Sequence, residues 1–174
     1  MKFNGIGFLA AMLIFVGGSV AGTSAAAVGT DANSVSASTR SSVKSSISFA
    51  GTSVPVIKGN MNITTAPKGN VAETWGGQTT LSVSDNQSTH IIGHDGTRFG
   101  EITKLKKGSP VKVVDVHGQT KTYHVTQVSN VTDYGLLQGT KTDVWNKIVN
   151  AKQGEQVVLQ TCLSETLNRV VWAR

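Results

Sequence analysis

The chain has a single cysteine among 174 residues, so no internal disulfide can staple it. An unpaired thiol in an exported chain is instead a candidate reactive group. Cys/His pairs at zinc spacing are missing, as is any cluster of carboxylates of the kind calcium requires, and no metal site is read from the residues. The formal charge is +6, with a pI near 9.6, but from Gly51 onward 13 basic and 9 acidic residues are dispersed, a net of +4. That suits attraction to polyanions in general. It lacks the clustered basic stripe of a nucleic-acid binder, and Lys104, Lys106 and Lys107 read as a solvated face. There is no internal repeat. No long uninterrupted apolar run exists either: Gly5 to Gly22 reaches 18 residues only by including glycines and a serine, whereas a spanning helix needs about 20 predominantly apolar ones.

What is present divides the chain in three. Lys2 precedes a stretch without charged side chains from Phe3 to Thr30, with an apolar heart at Ile6 to Val16 and small residues at Ala25-Ala26-Ala27. This is the pattern of a secretory signal, and it also suits an uncleaved anchor. Residues 1–22 are therefore assigned to a signal or membrane anchor. From Gly17 to Ser53, 27 of 37 residues are Ser, Ala, Thr or Gly. So few large apolar side chains cannot offset ordering entropy, which makes residues 23–48 an expected flexible linker. Its mean reach is about 30 Å. The folded part is expected at residues 49–174, enough chain for one core.

Within that part, strand-like runs follow one another: Val54 to Ile57, Thr79 to Val83, Thr89 to Ile92, Pro110 to Val116, Lys121 to Val128, Glu155 to Thr161 and Asn168 to Trp172. His117-Gly118 suits a hairpin turn. Only two short helical faces interrupt, Phe99/Ile102/Leu105 and Val144/Trp145/Ile148/Val149, the second ended by Gly154. Many strands with few helices predict a mainly β, closed architecture. Trp75, Trp145 and Trp172 read as core residues rather than as a stacking platform.

The last eighteen residues carry the chemistry. Val157 to Leu159 and Val170 to Ala173 flank a short polar segment and read as a hairpin turning within Leu163 to Leu167, which brings Cys162 and Arg169 to one rim. A neighbouring cation would lower the thiol's pKa, or the guanidinium could hold an oxyanion. The bland alternative is a buried, inert cysteine and a solvated arginine. A nucleophile also needs a base. Of His90, His94, His117 and His124, His94 stands out because the strand Ile91-Ile92 runs into Gly93 and delivers the imidazole at its end. Asp95 is set aside as a third member, since neighbours on an extended chain point to opposite faces.

Val158-Leu159-Gln160-Thr161-Cys162 resembles the sortase signature Thr-Leu-x-Thr-Cys, with Val158 in place of the first Thr. Ile92-Gly93-His94 is similar to the Gly-His of the sortase histidine, and Arg169 before Val-Val-Trp-Ala is similar to the arginine opening the final sortase strand. Phe99 to Gly108 also resembles the stretch after that histidine. The order His, Cys, Arg, each reached by a strand, is more specific than any single motif.

The resemblance implies a sortase barrel of about eight strands with one or two short helices. It implies a cysteine transpeptidase with Cys162 as nucleophile, His94 as general acid and base, Arg169 stabilising the oxyanion or substrate, and Thr161 positioning the substrate or supporting the arginine. No cofactor is expected, and the acidic calcium-binding loop positions of some sortases have no match here. The implied substrates are surface proteins with a Leu-Pro-x-Thr-Gly-type signal cut between Thr and Gly, and the implied acceptor is a peptidoglycan-precursor amine. The N-terminal segment would hold the domain outside the cell membrane, unless signal cleavage releases it. A secreted, non-catalytic β-domain binding wall polymers, or another wall cysteine hydrolase, remain the alternatives.

Overall fold

The computed structural model describes residues 44–63 and 65–174. The assigned anchor and most of the assigned linker lie outside the described residues. Eight strands are formed: β1 (Ser46–Phe49), β2 (Thr52–Lys58), β3 (Ala72–Gly77), β4 (Ser88–Gly93), β5 (Pro110–Val114), β6 (Thr120–Thr132), β7 (Gln156–Cys162) and β8 (Leu167–Ala173). They close into a barrel in the order β1-β2-β3-β4-β7-β8-β6-β5. A 3-10 helix, Arg98–Lys104, follows β4, and a short α-helix, α1 (Trp145–Val149), with a 3-10 turn at Ala151–Gln153, precedes β7. Among the described residues no helix is long and apolar enough to cross a membrane.

Alternation explains the two cores. Val157, Leu159, Val171, Ala173 and Ile91 point into the barrel with Phe49, Phe99 and Tyr123. The intervening Val158, Val170 and Trp172 point outward, where Val144 and Ile148 of the segment before β7 cover them. Side chains two apart on a strand share a face, so the outer face of β7 also carries Gln160 and Cys162.

Three differences from the sequence reading have physical causes. β1 begins at Ser46, inside the stretch assigned to the linker, because Ile47 and Phe49 alternate with serines and are buried. β3 went unread: Gly76 and Gly77 weaken its strand signal, yet it pairs with both β2 and β4. Thr79 to Val83, read as a strand, joins no ladder. Leu81 and Val83 are buried from a loop held by Val116 N donating to Leu81 O and Val83 N donating to Asp115 Oδ2.

Candidate active site

The site is built where two parallel strands end together. In the β4–β7 pair, Ile92 faces Gln160. Two residues further on, Cys162 is the last residue of β7 and His94 is the first residue beyond the end of β4. The Thr161 hydroxyl, buried between the strands, donates to the Gly93 carbonyl at 2.9 Å and ties their ends together. Gly93 is required at this place, because a Cβ there would lie 2.4 Å from the Phe99 ring.

His94 follows the last residue of β4, and the chain then turns. The Thr97 backbone N–H and hydroxyl both donate to the His94 carbonyl, at 3.2 and 2.7 Å, and Thr97 caps the 3-10 helix through Phe99 N. In this turn the Asp95 carboxylate folds back to 2.8 Å from His94 Nδ1. The setting aside of Asp95 is thereby corrected: opposite-face alternation applies to extended chain, and the strand stops at Gly93. Asp95-Gly96 was the legible signal, since such dipeptides mark turns.

Cys162 is a free, exposed thiol at the end of β7. Across the hairpin it faces Asn168, while Arg169 faces Thr161. The thiol and guanidinium are thus one register step apart, and alternation sends them to opposite faces of the ribbon. The expected pKa lowering by a cation does not occur. Partial burial raises the thiol pKa, and the charges of Asp95 and Asp133 raise it further. Asp133, which sequence reasoning passed over, follows β6 and accepts from Asn168 Nδ2 at 2.8 Å. No local motif marks it; only the β6–β8 register brings it there.

Arg169 makes no ion pair with a carboxylate among the described residues, and its Nε is buried without a partner. The other histidines lie elsewhere. His117 and His124 are exposed. His90, two residues before Ile92, is fully buried against Trp75, the rings meeting edge to face at 5.6 Å. Burial lowers its pKa to about 3. The Gln160 side chain lies near enough to offset part of this, yet neither ring nitrogen has a partner at hydrogen-bond geometry. Trp75 and Trp172 are core as expected, whereas Trp145 is 37% exposed and meets Trp75 at 5.9 Å between ring centroids. No group of three or more His, Cys, Asp or Glu among the described residues is placed to hold a metal ion. An open cleft lined by Ser48, Phe49, Lys112 and Thr122 shares no residue with the cysteine rim.

A closed eight-stranded barrel with a thiol and an imidazole at the ends of adjacent parallel strands defines a cysteine-based β-barrel protein. The sequence model of the sortase domain matches residues 46–174. The chain belongs to the sortase family, a family of cysteine transpeptidases. Solved structures agree in fold. Listeria monocytogenes sortase A is 22% identical, with 76% of this chain and 86% of that one covered and a TM-score of 0.56. For the lid mutant of Corynebacterium diphtheriae sortase A the values are 21%, 75%, 68% and 0.57. Clostridium perfringens SM101 sortase C is 18% identical, with 74% of this chain covered and a TM-score of 0.55. This chain spans 66% of the length of that sortase C. No curated protein matches the chain.

Proposed function

We propose that the protein is a sorting-signal transpeptidase that cuts a Leu-Pro-x-Thr-Gly-type signal between Thr and Gly and passes the acyl group to a peptidoglycan-precursor amine. The observation that carries this reading is that Cys162 ends β7 while His94 directly follows β4, the parallel strand paired with it. In the first half-reaction the Cys162 thiolate attacks the Thr carbonyl carbon. A C–S bond forms, and the carbonyl π electrons move to oxygen. Collapse of this oxyanion breaks the C–N bond, and imidazolium His94 gives its proton to the departing Gly amine, leaving a thioester. In the second half, the acceptor amine attacks the thioester, its proton passes to His94, and the Cys162 thiolate leaves.

Arg169 is assigned the oxyanion or the signal's carbonyls. Its support is that it has no carboxylate partner among the described residues and stands one register step from Cys162. The raised thiol pKa means that only a small fraction of Cys162 is ionised at neutral pH. Ionisation is then a cost, met as the thiol proton passes to His94 and leaves a thiolate–imidazolium pair for the first half-reaction. Thr161 acts from beneath, through its bond to Gly93, rather than by touching the signal. The N-terminal stretch is assigned to holding the domain at the outer face of the cell membrane.

The test is incubation of the purified protein with a signal-peptide library and a panel of amines, read by mass spectrometry. Cleavage after Thr with amine-dependent products is expected. Cleavage that survives Cys162→Ala would falsify the mechanism. Failure to cut any signal variant would favour a wall-polymer binding domain.

A further inference from the structure

Two groups compete for one nitrogen of His94. Asp95 Oδ1 stands 2.8 Å from Nδ1, and the Gly96 backbone N–H reaches the same atom at 3.1 Å. A carboxylate needs a proton on Nδ1, whereas an N–H donor needs a lone pair there, so each contact selects a different tautomer. With Nδ1 accepting from Gly96, a neutral ring carries its proton on Nε2 and has no free nitrogen left to act as a base. With Nδ1–H donating to Asp95, Nε2 holds the lone pair. The turn is built to keep both contacts close. Gly100 lets the backbone close over Asp95, since a Cβ there would fall 1.9 Å from the Asp95 carbonyl oxygen. Nδ1 and Cε1 are the ring atoms nearest to Gly96, 3.5 and 3.8 Å from where a Cβ would stand.

We propose that Asp95 is a positioning residue that keeps a proton on His94 Nδ1, so that Nε2 is the atom exchanging a proton with the departing and incoming amines. This deepens the transpeptidase reading and rests on it for its catalytic consequence. A charge-assisted contact to a carboxylate is stronger than a neutral one to a backbone N–H, which favours the Asp95 state. The imidazolium formed in the cycle keeps the same Asp95 contact and adds a proton on Nε2 for the leaving amine. On returning that proton, the ring is already in the tautomer that the second half-reaction needs. The other ionisable groups around the rim are Cys162 on β7, Asp133 after β6 and Arg169 on β8.

The His94 and Asp95 side chains are 60% and 51% exposed, so solvent screens the contact. An effect of about tenfold on turnover is expected, the low side of acid–base contributions. The experiment compares the full chain with Asp95→Ala and Asp95→Glu by two readouts: the ¹⁵N–¹H tautomer signature of His94, and steady-state transpeptidation. The expected result is Nδ1–H in the parent and Nε2–H in Asp95→Ala. The same variant loses about tenfold in kcat with little change in KM, and Asp95→Glu restores part of it. Thiol alkylation in Asp95→Ala should move to lower pH, because a charge that raises the thiol pKa is gone; the part of turnover that Asp95→Glu restores separates a positioning carboxylate from a disordered loop. An unchanged tautomer, or an unchanged kcat in Asp95→Ala, overturns the proposal. If the parent turns over no signal at all while the tautomer still follows Asp95, the transpeptidase reading fails and the positioning assignment stands.

Discussion

The two ends of β7 treat polar groups in opposite ways. At the first end, Glu155 accepts from the Tyr123 hydroxyl and from Asn86 N, and Gln156 bonds both Ser88 and Arg174. Nearby, the buried Asp115 carboxylate accepts from three backbone N–H groups, those of Val83, His117 and Gln119. Every one of these side chains has a partner. At the last end, seven residues on, the charges of two carboxylates oppose ionisation of the thiol, one imidazole nitrogen is contested, and the arginine Nε has no partner. Satisfied buried networks rigidify a fold, whereas unsatisfied groups gathered in one place are a cost that function has to justify. The contrast separates residues that hold the barrel from residues left free for chemistry.

Substitutions at the two ends should therefore move different quantities. The largest effect belongs to Cys162→Ala, expected to lower signal cleavage by more than about a thousandfold while leaving the thermal midpoint nearly unchanged. Tyr123→Phe should do the reverse. Losing a hydrogen bond to a charged partner in a buried setting costs about 1.5–3 kcal/mol of stability in denaturant unfolding, and activity per folded molecule should hold. A drop in specific activity there would erase the distinction between the ends.

His90 sharpens the comparison through pH, because it is an unpartnered group buried on the outer face of the strand that delivers His94. Its folded pKa, about 3, lies below the ordinary value of 6.5, so the unfolded chain binds the proton first. The stability is fully present above about pH 6.5 and is lost as pH falls toward 3, amounting to about 2 kcal/mol by pH 5. Midpoints of His90→Phe measured from pH 7 to pH 5 should show a flatter slope than the parent; an equal slope would contradict this account. Gly93→Ala should affect both quantities at once, since the new methyl displaces Phe99 beneath His94; about 1–2 kcal/mol of stability is expected to go, along with part of the activity. The smallest effect is expected from Asp133→Asn, which removes one of the charges opposing the thiolate and should move alkylation of Cys162 to lower pH. Movement the other way would mean that Asp133 does not face the thiol.

The barrel was legible where apolar residues alternate, as in β5, or run on without a break, as in β7 and β8. It was illegible in β1, where serines masked Ile47 and Phe49, and in β3, where a buried glutamate and paired glycines hid a central strand. Glu73 is 3% exposed, and its Oε1 has no partner. Such a residue contradicts every sequence rule for a strand interior, and burial raises its pKa accordingly. The positions of His94 and Cys162 could be read because each ends a recognisable strand. The electrostatics could not. That Cys162 faces Asn168 rather than Arg169 depends on hairpin register, which a one-residue slip inverts. That Asp95 reaches His94 depends on where β4 stops.

The most direct test is intact-mass analysis of the protein during turnover of a Leu-Pro-x-Thr-Gly peptide without an acceptor amine. A mass increase equal to the acyl fragment, mapped to Cys162 and discharged on adding triglycine, is the expected result. In His94→Ala the adduct should form more slowly and, once formed, discharge more slowly. Peptide cleavage with no adduct on Cys162, or an adduct on any other residue, would contradict the assignment of the end of β7 as the reactive centre.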